Sequence, residues 1–148
     1  MLPKGLRILD LGGYHQAFGS CYEFKAYTSI DLLFAAAVPP MGQPSVAPTT
    51  KDSLPFPDCH IEADINEIRD FQFAAKFDVV VMLGLLPWLK NWQRTLDGLS
   101  KSKIKMFLVS WDGIELDRVA TYLSRLGYTE TKRVDITRKS SISLLERE

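Results

Sequence analysis

The feature that most constrains the fold is an alternation of short apolar runs with segments of helical periodicity. The run Phe77–Leu86, FDVVVMLGLL, is almost unbroken in hydrophobicity, as expected of a strand at the centre of a sheet. Apolar residues in 115–126 instead recur every three or four positions, which predicts a helix with Gly127 as its C-terminal cap. This alternation predicts an α/β fold around a mostly parallel sheet.

The end of the chain predicts a departure from parallel pairing. The last two apolar runs are separated only by the short turn Arg138–Ser140, a spacing typical of an antiparallel hairpin. The predicted strands are 6–11, 26–31, 59–64, 77–86, 103–111, 129–137 and 141–148. The predicted fold class is therefore α/β: a three-layer doubly wound, mostly parallel seven-stranded sheet with an antiparallel C-terminal strand.

Composition indicates one globular domain over residues 1–148, with 46% apolar and 24% charged residues. Six prolines fall within 38–57, which predicts a long loop or lid inside this domain rather than a linker. The 18 basic and 18 acidic residues balance, so no strong nucleic-acid signal is present. We expect no membrane span and a cytoplasmic location, because the longest apolar run is too short to cross a bilayer.

Cysteine and histidine patterns give no sign of a metal centre. Cys21 and Cys59 are isolated, which is typical of reduced thiols packed as small hydrophobes. His15 and His60 lie in no metal-ligand spacing. We therefore expect no metal.

Acidic residues and glycines stand at the predicted carboxyl ends of the strands. Asp10 lies at the carboxyl end of the first strand, and Gly12 and Gly13 follow it, where glycine lets the backbone turn tightly beside a ligand. Asp31 ends the second strand, 21 residues after Asp10, a separation at which a carboxylate can accept both hydroxyls of a ribose. Asp64 ends the third strand.

Taken in order, the segments ILDLGG, SIDL, EADI and FDVVVMLGLL resemble the class I S-adenosylmethionine-dependent methyltransferases. The resemblance implies S-adenosylmethionine as cofactor, with its methionine part at the glycine loop, its ribose at Asp31 and its adenine at Asp64 and the backbone of Ile65. Leu83 would line the floor beside the methyl group. The cofactor-binding positions that it implies are Asp10, Gly12, Gly13, Tyr14, Asp31, Leu32, Asp64, Ile65 and Leu83.

Other interpretations of these residues stay open. Asp10 could be a turn or cap residue, Asp31 a surface acid, and Asp64 the N-cap of a helix that begins INEI. Pro87 fits a first helical position, and the apolar spacing after it favours Trp88 and Trp92 as core cover over ligand contacts.

The glycine loop departs from the family pattern, because Tyr14 and Gln16 stand where the family usually has glycines. A nicotinamide dinucleotide site is disfavoured, since G-x-G-x-x-G is absent. Two hypotheses follow: in-line methyl transfer to an unidentified, large acceptor or with a partner subunit, or a catalytically inactive binding or structural subunit. Catalytic residues are not assigned; the side chains singled out for substrate contact are Tyr14, His15, Trp88 and Trp111.

Overall fold

The sheet has seven strands. A computed structural model describes residues 2–12, 26–31 and 59–148, and in them the strand order is β3-β2-β1-β4-β5-β7-β6. The strands are β1 (Arg7–Leu11), β2 (Ala26–Asp31), β3 (Cys59–Glu62), β4 (Val79–Met82), β5 (Met106–Trp111), β6 (Thr129–Thr137) and β7 (Ser140–Glu146). This confirms the predicted α/β class and its mostly parallel sheet.

The C-terminal hairpin lies at one end of the sheet. Strands β1 to β5 pair in parallel, whereas β7 is inserted antiparallel between β5 and β6. Trp111 at the end of β5 pairs with Ser141 near the start of β7. The turn between β6 and β7 therefore lies at the carboxyl end of β5, and the predicted antiparallel C-terminal strand is confirmed.

Two α-helices have side-chain N-caps. They are α1 (Trp92–Lys101) and α2 (Gly113–Arg125). The Asn91 side chain accepts a hydrogen bond from the Arg94 amide at 3.0 Å, and Asp112 accepts one from the Glu115 amide at 3.0 Å. As predicted, α2 ends before Gly127, which has φ +90°.

Three short 3₁₀ turns complete the described helical structure: Ile65–Glu67, Gln72–Lys76 and Leu86–Trp88. The prediction that a helix begins at Pro87 was wrong, because that turn ends at Trp88 and Leu89 is extended. The α-helix starts only after Asn91. Trp88 is consequently not core cover: 80% of its surface is exposed.

Strands β4 and β5 are shorter than their apolar runs suggested. Gly84, with φ +71°, turns the chain away from the sheet soon after β4 ends at Met82. Before β5, Lys103 has φ +63°, which is outside the extended region, so the strand cannot include it; β5 starts at Met106. Backbone turns therefore make β4 and β5 shorter than the hydrophobicity pattern predicted.

The sheet buries both faces. On one face Leu9, Val80 and Phe107 pack with the apolar stripes of α1 and α2. On the other face Ile8, Tyr27, Val81 and Leu108 form a second buried cluster. Alternation along each strand therefore decides which core a side chain joins.

The segment 16–25, whose sequence is a weak candidate for a short helix interrupted by Gly19, lies outside the described residues. So does the proline-rich loop predicted at 38–57, and the lid and the single-domain organisation stay predictions. None of the helices in the described ranges has the length and hydrophobicity needed to span a membrane.

Candidate cofactor and acceptor site

The strand order places a crevice between the carboxyl ends of β1 and β4. From β1 the chain continues outward through β2 and β3, and it then returns to β4 on the opposite side of β1. Open α/β sheets bind ligands outside the strand ends at such a reversal, because the loops leave in opposite directions there. The candidate site is built from the segments that follow β1 to β5.

Gly12 forms the turn directly after β1. Its φ is +77°, and its amide donates to the Ile30 carbonyl oxygen of β2 at 2.8 Å. A Cβ atom at this position would lie 3.0 Å from Cδ1 of Leu85, which belongs to the loop after β4. Glycine is required here by both backbone conformation and space, since the two loops meet across the crevice.

The Asp10 carboxylate is buried, with 4% of the residue exposed, and it accepts a hydrogen bond from the Tyr27 hydroxyl. Burial, and then the negative charge of Asp10, raise the pKa of the Tyr27 hydroxyl far above its ordinary value. Tyr27 therefore stays protonated and donates to Asp10. Asp10 is held on the sheet face shared by Ile8 and Val81; its contact with a cofactor stays a prediction.

Asp31 is the last residue of β2, and its register partner is Glu62 at the end of β3. The neighbouring Ile30 carbonyl accepts the Gly12 amide. The backbone of Asp31 thus stands beside the Gly12 turn, at the strand end where the sequence predicted a ribose-binding acid.

Asp64 is the N-cap of the 3₁₀ turn Ile65–Glu67, in agreement with its alternative interpretation as the cap of a helix that begins INEI. Its Oδ1 accepts the Asn66 amide at 2.9 Å. Among the described residues no hydrogen bond reaches its Oδ2. Ile65 is 5% exposed and packs into the core, so only its backbone is left for a ligand. Contact of Asp64 or Ile65 with adenine stays a prediction.

The segment after β4 closes the other side of the crevice. Leu83 is half-buried against the Val81 cluster, and the Gly84 amide donates to Oγ of Ser110 on β5 at 2.8 Å. Leu85 then packs against Gly12. The predicted Leu83 therefore lies in the loop that borders the crevice.

Several predicted residues are not described. Gly13, Tyr14, Leu32 and His15 all lie outside the described ranges, and their predicted roles stay predictions. Of the predicted positions, the structure brings together the backbones of Gly12 and Asp31 at adjacent strand ends.

The sequence analysis did not identify Tyr27, Leu85 or Ser110 as part of the site. Alternation along β2 could have indicated Tyr27. It lies two residues before Ser29, the register partner of Asp10, and therefore on the same face of the sheet. Leu85 and Ser110 had none, since each acts through a residue far away in sequence.

Apolar side chains are exposed beside the crevice. Trp88 follows β4, and Ile114, with 77% of its surface exposed, lies in the first turn of α2 after β5. Trp111 is different: it is half-buried and contacts Trp92 edge to face, with ring centroids 6.4 Å apart. Trp88 is therefore accessible to an acceptor, and Trp111 mainly supports α1.

A separate surface cavity of about 360 Å³ lies between α1 and the turn Gln72–Lys76. Its lining includes Arg69, Asp70, Arg94, Asp97 and Lys101, and no predicted site residue. It is distinct from the crevice between β1 and β4.

No protein-family model matches the chain, and no curated protein sequence matches it. Solved structures do match. A putative S-adenosylmethionine-dependent methyltransferase from Listeria monocytogenes superposes with a TM-score of 0.70 and 11% identity, covering 100% of this chain and 94% of that one. Magnesium protoporphyrin IX methyltransferase from Synechocystis PCC 6803, with bound S-adenosylmethionine, gives 0.67 and 13%, covering 98% of this chain and 71% of that one.

A third similar structure is a putative methyltransferase from Haloferax volcanii in complex with the Trm112 methyltransferase activator. Its TM-score is 0.62 at 9% identity, and 98% of this chain and 84% of that chain are covered. At these identities the likeness concerns the fold. The chain has the fold of the class I S-adenosylmethionine-dependent methyltransferases, which confirms the resemblance inferred from its four segments.

Proposed function

We propose that this chain binds S-adenosylmethionine at the carboxyl ends of β1, β2 and β4 and transfers its methyl group to an acceptor. One observation carries the proposal: the Gly12 turn lies at the reversal of the strand order and is hydrogen-bonded to Ile30, the residue before Asp31. A backbone turn free of side-chain atoms thus stands next to a carboxylate residue. That is the arrangement a nucleoside needs.

The described residues fit this cofactor. The lack of a Cβ atom at Gly12 lets Leu85 approach the turn after β1, and the Asp31 carboxylate would accept the ribose hydroxyls. Oδ2 of Asp64 and the Ile65 amide would meet the adenine edge. Leu83 and Leu85 would exclude water from the reacting atoms.

The cofactor, when bound, supplies an activated methyl group on a sulfonium, so the protein acts mainly by holding donor and acceptor in line. A dedicated general base is not required, which agrees with a site of backbone turns, one buried acid and apolar side chains. The complex of the similar Haloferax volcanii protein with an activator supports a partner subunit for this chain as well.

Thermal unfolding with S-adenosylmethionine tests the proposal. At about a hundred times its dissociation constant, a ligand of the folded state stabilises it by about 2.7 kcal/mol, a rise of several degrees in Tm. We expect this rise in the wild type and its loss in Asp31→Ala. Asp117→Ala, which removes an exposed acid on α2, is the matched control and should keep it.

The absence of any rise in the wild type, together with no binding heat in calorimetry, would refute cofactor binding and favour the inactive subunit. A rise that survives Asp31→Ala would instead show that another group holds the ribose.

A further inference from the structure

The carboxyl edge of the sheet carries the two most exposed large hydrophobic side chains of the described residues. They are Trp88, 80% exposed, and Ile114, 77% exposed. Scattered exposed hydrophobics are ordinary, but these two follow neighbouring parallel strands, β4 and β5, and so emerge at the same edge. We refer to these two side chains, which follow neighbouring strands at the edge that borders the crevice, as the apolar platform.

Two cations lie further along the same edge. Arg138 and Lys139 form the turn between β6 and β7, which the pairing of Trp111 with Ser141 places at the carboxyl end of β5. From β4 to β6 there are three strand spacings, about 14 Å. The platform and the cations therefore lie on one rim of extended-ligand size.

Arg138 and Lys139 are exposed, and within the described ranges neither has an acidic partner at ion-pair distance. Other arginines do: Arg118 contacts Glu115 at 3.0 Å, and Arg133 contacts Glu130 at 2.8 Å. The turn thus presents two adjacent exposed cations without an ion pair among the described residues. The acid that precedes them in β6, Asp135, accepts a hydrogen bond from the Ser141 hydroxyl.

The acids near the platform are already engaged. Asp112 accepts the Glu115 amide as the N-cap of α2, and Glu115 is paired with Arg118. Glu115 is therefore neutralised by a cation, whereas Asp112 keeps its negative charge and is held in place as the helix cap.

We propose that the acceptor combines a planar ring with an anionic group, the ring lying on Trp88 and Ile114 and the anion at Arg138 and Lys139. This rests on the proposed function, because the rim borders the crevice where the methyl group would be delivered. Indole faces stack on flat rings, and paired cations hold a phosphate or carboxylate. That chemistry has two sources: a nucleotide chain or an aromatic carboxylic acid.

The test is a titration followed by NMR of the three tryptophan indole N–H signals, with Trp88 assigned from Trp88→Phe. The probes are single-stranded oligouridylate, naphthylbutanoate and the uncharged naphthylbutanol, all added with S-adenosylhomocysteine in excess. We expect at least one anionic probe to shift the Trp88 signal. Naphthylbutanol should bind more weakly than naphthylbutanoate, and added salt should weaken the anionic probes.

Paired variants test the cations. Arg138→Ala with Lys139→Ala should weaken the anionic probe about tenfold. Lys76→Ala with Lys105→Ala removes the same charge at the opposite edge of the sheet and should leave the affinity unchanged. Since all four side chains are exposed, both double variants should fold; their melting temperatures verify this.

Binding of oligouridylate alone assigns the rim to nucleotide chains, and binding of naphthylbutanoate alone assigns it to aromatic acids. The inference is overturned if no probe moves the Trp88 signal, if the alcohol binds as tightly as the acid, or if both double variants lose affinity equally. Calorimetry with S-adenosylmethionine is run separately, so a failed rim and a failed cofactor site are told apart.

Discussion

The amino and carboxyl edges of the sheet differ in how many contacts hold their cationic side chains. At the amino edge, the Arg7 guanidinium donates two hydrogen bonds, of 2.8 and 3.1 Å, to the Asp78 carboxylate. Arg147 lies 4.2 Å above the Tyr128 ring and bonds Ser100 and the Leu126 carbonyl. At the carboxyl edge, Arg138 and Lys139 have no such partners among the described residues.

The difference shows which edge of the sheet stabilises the fold and which edge leaves side chains exposed to solvent. The Arg147 guanidinium, directly after β7, bonds Ser100 near the end of α1 and Leu126 directly after α2. It therefore links both helix ends to the last strand. The carboxyl edge instead has the two most exposed large apolar side chains of the described residues, Trp88 and Ile114.

The largest expected effect breaks the amino edge. Arg147→Ala removes a cation–π contact and leaves the Leu126 carbonyl without that donor, so we expect the free energy of unfolding to fall by about 3 kcal/mol. Urea denaturation measures the loss. Arg147→Lys should recover part of it, because an ammonium cannot reproduce the forked geometry.

Arg138→Ala, at the carboxyl edge, is the matched control and should cost less than about 0.5 kcal/mol. Equal losses in the two variants would contradict the division of roles between the edges.

The second prediction concerns the carboxyl edge, where two glycines have positive φ. Gly84→Ala adds only backbone strain of about 1–2 kcal/mol, since no atom lies within 4 Å of its Cβ position. Gly12→Ala adds the same strain and an approach of 3.0 Å to Leu85, for about 1 kcal/mol more.

Denaturation of both variants measures the difference, and Leu85→Ala in the Gly12→Ala background should reduce it. Gly12→Ala should also weaken S-adenosylmethionine binding more than Gly84→Ala does. Identical stabilities would show that the two loops do not meet across the crevice.

The seven strands, the C-terminal hairpin and the positions of Gly12 and Asp31 at strand ends could be predicted, because each depends on local spacing along the chain. The order of the strands in the sheet was not predicted. The start of α1 could not be predicted. Pro87 and the apolar residues after it also fit a helix that begins early, and the choice depends on the Asn91 cap and the extended Leu89.

The site was predictable only as a set of positions. The contacts that shape it, Gly12 with Leu85 and Gly84 with Ser110, join residues distant in sequence, and no periodicity encodes them. The missed turn Gln72–Lys76 has the same origin, since it packs Phe71 against Gly98 of α1.

The third prediction concerns Asp10, near the carboxyl end of β1, and Tyr27 of β2, a buried pair joined by a hydrogen bond. The pKa of Tyr27 is raised by folding, so the tyrosine stabilises the protein fully below its unfolded pKa, near 10, and less at higher pH. Above pH 10 the wild type should lose about 1.4 kcal/mol per pH unit relative to Tyr27→Phe, which cannot ionise. Denaturation between neutral and alkaline pH measures this.

Tyr122→Phe is the control. The Tyr122 hydroxyl also donates a hydrogen bond to an acid, Asp97, at 2.7 Å, but Tyr122 is only half-buried and should change the pH dependence less. Parallel curves for the wild type and Tyr27→Phe would contradict this prediction. They would show that folding does not raise the pKa of Tyr27 and that a protonated Tyr27 does not hold Asp10.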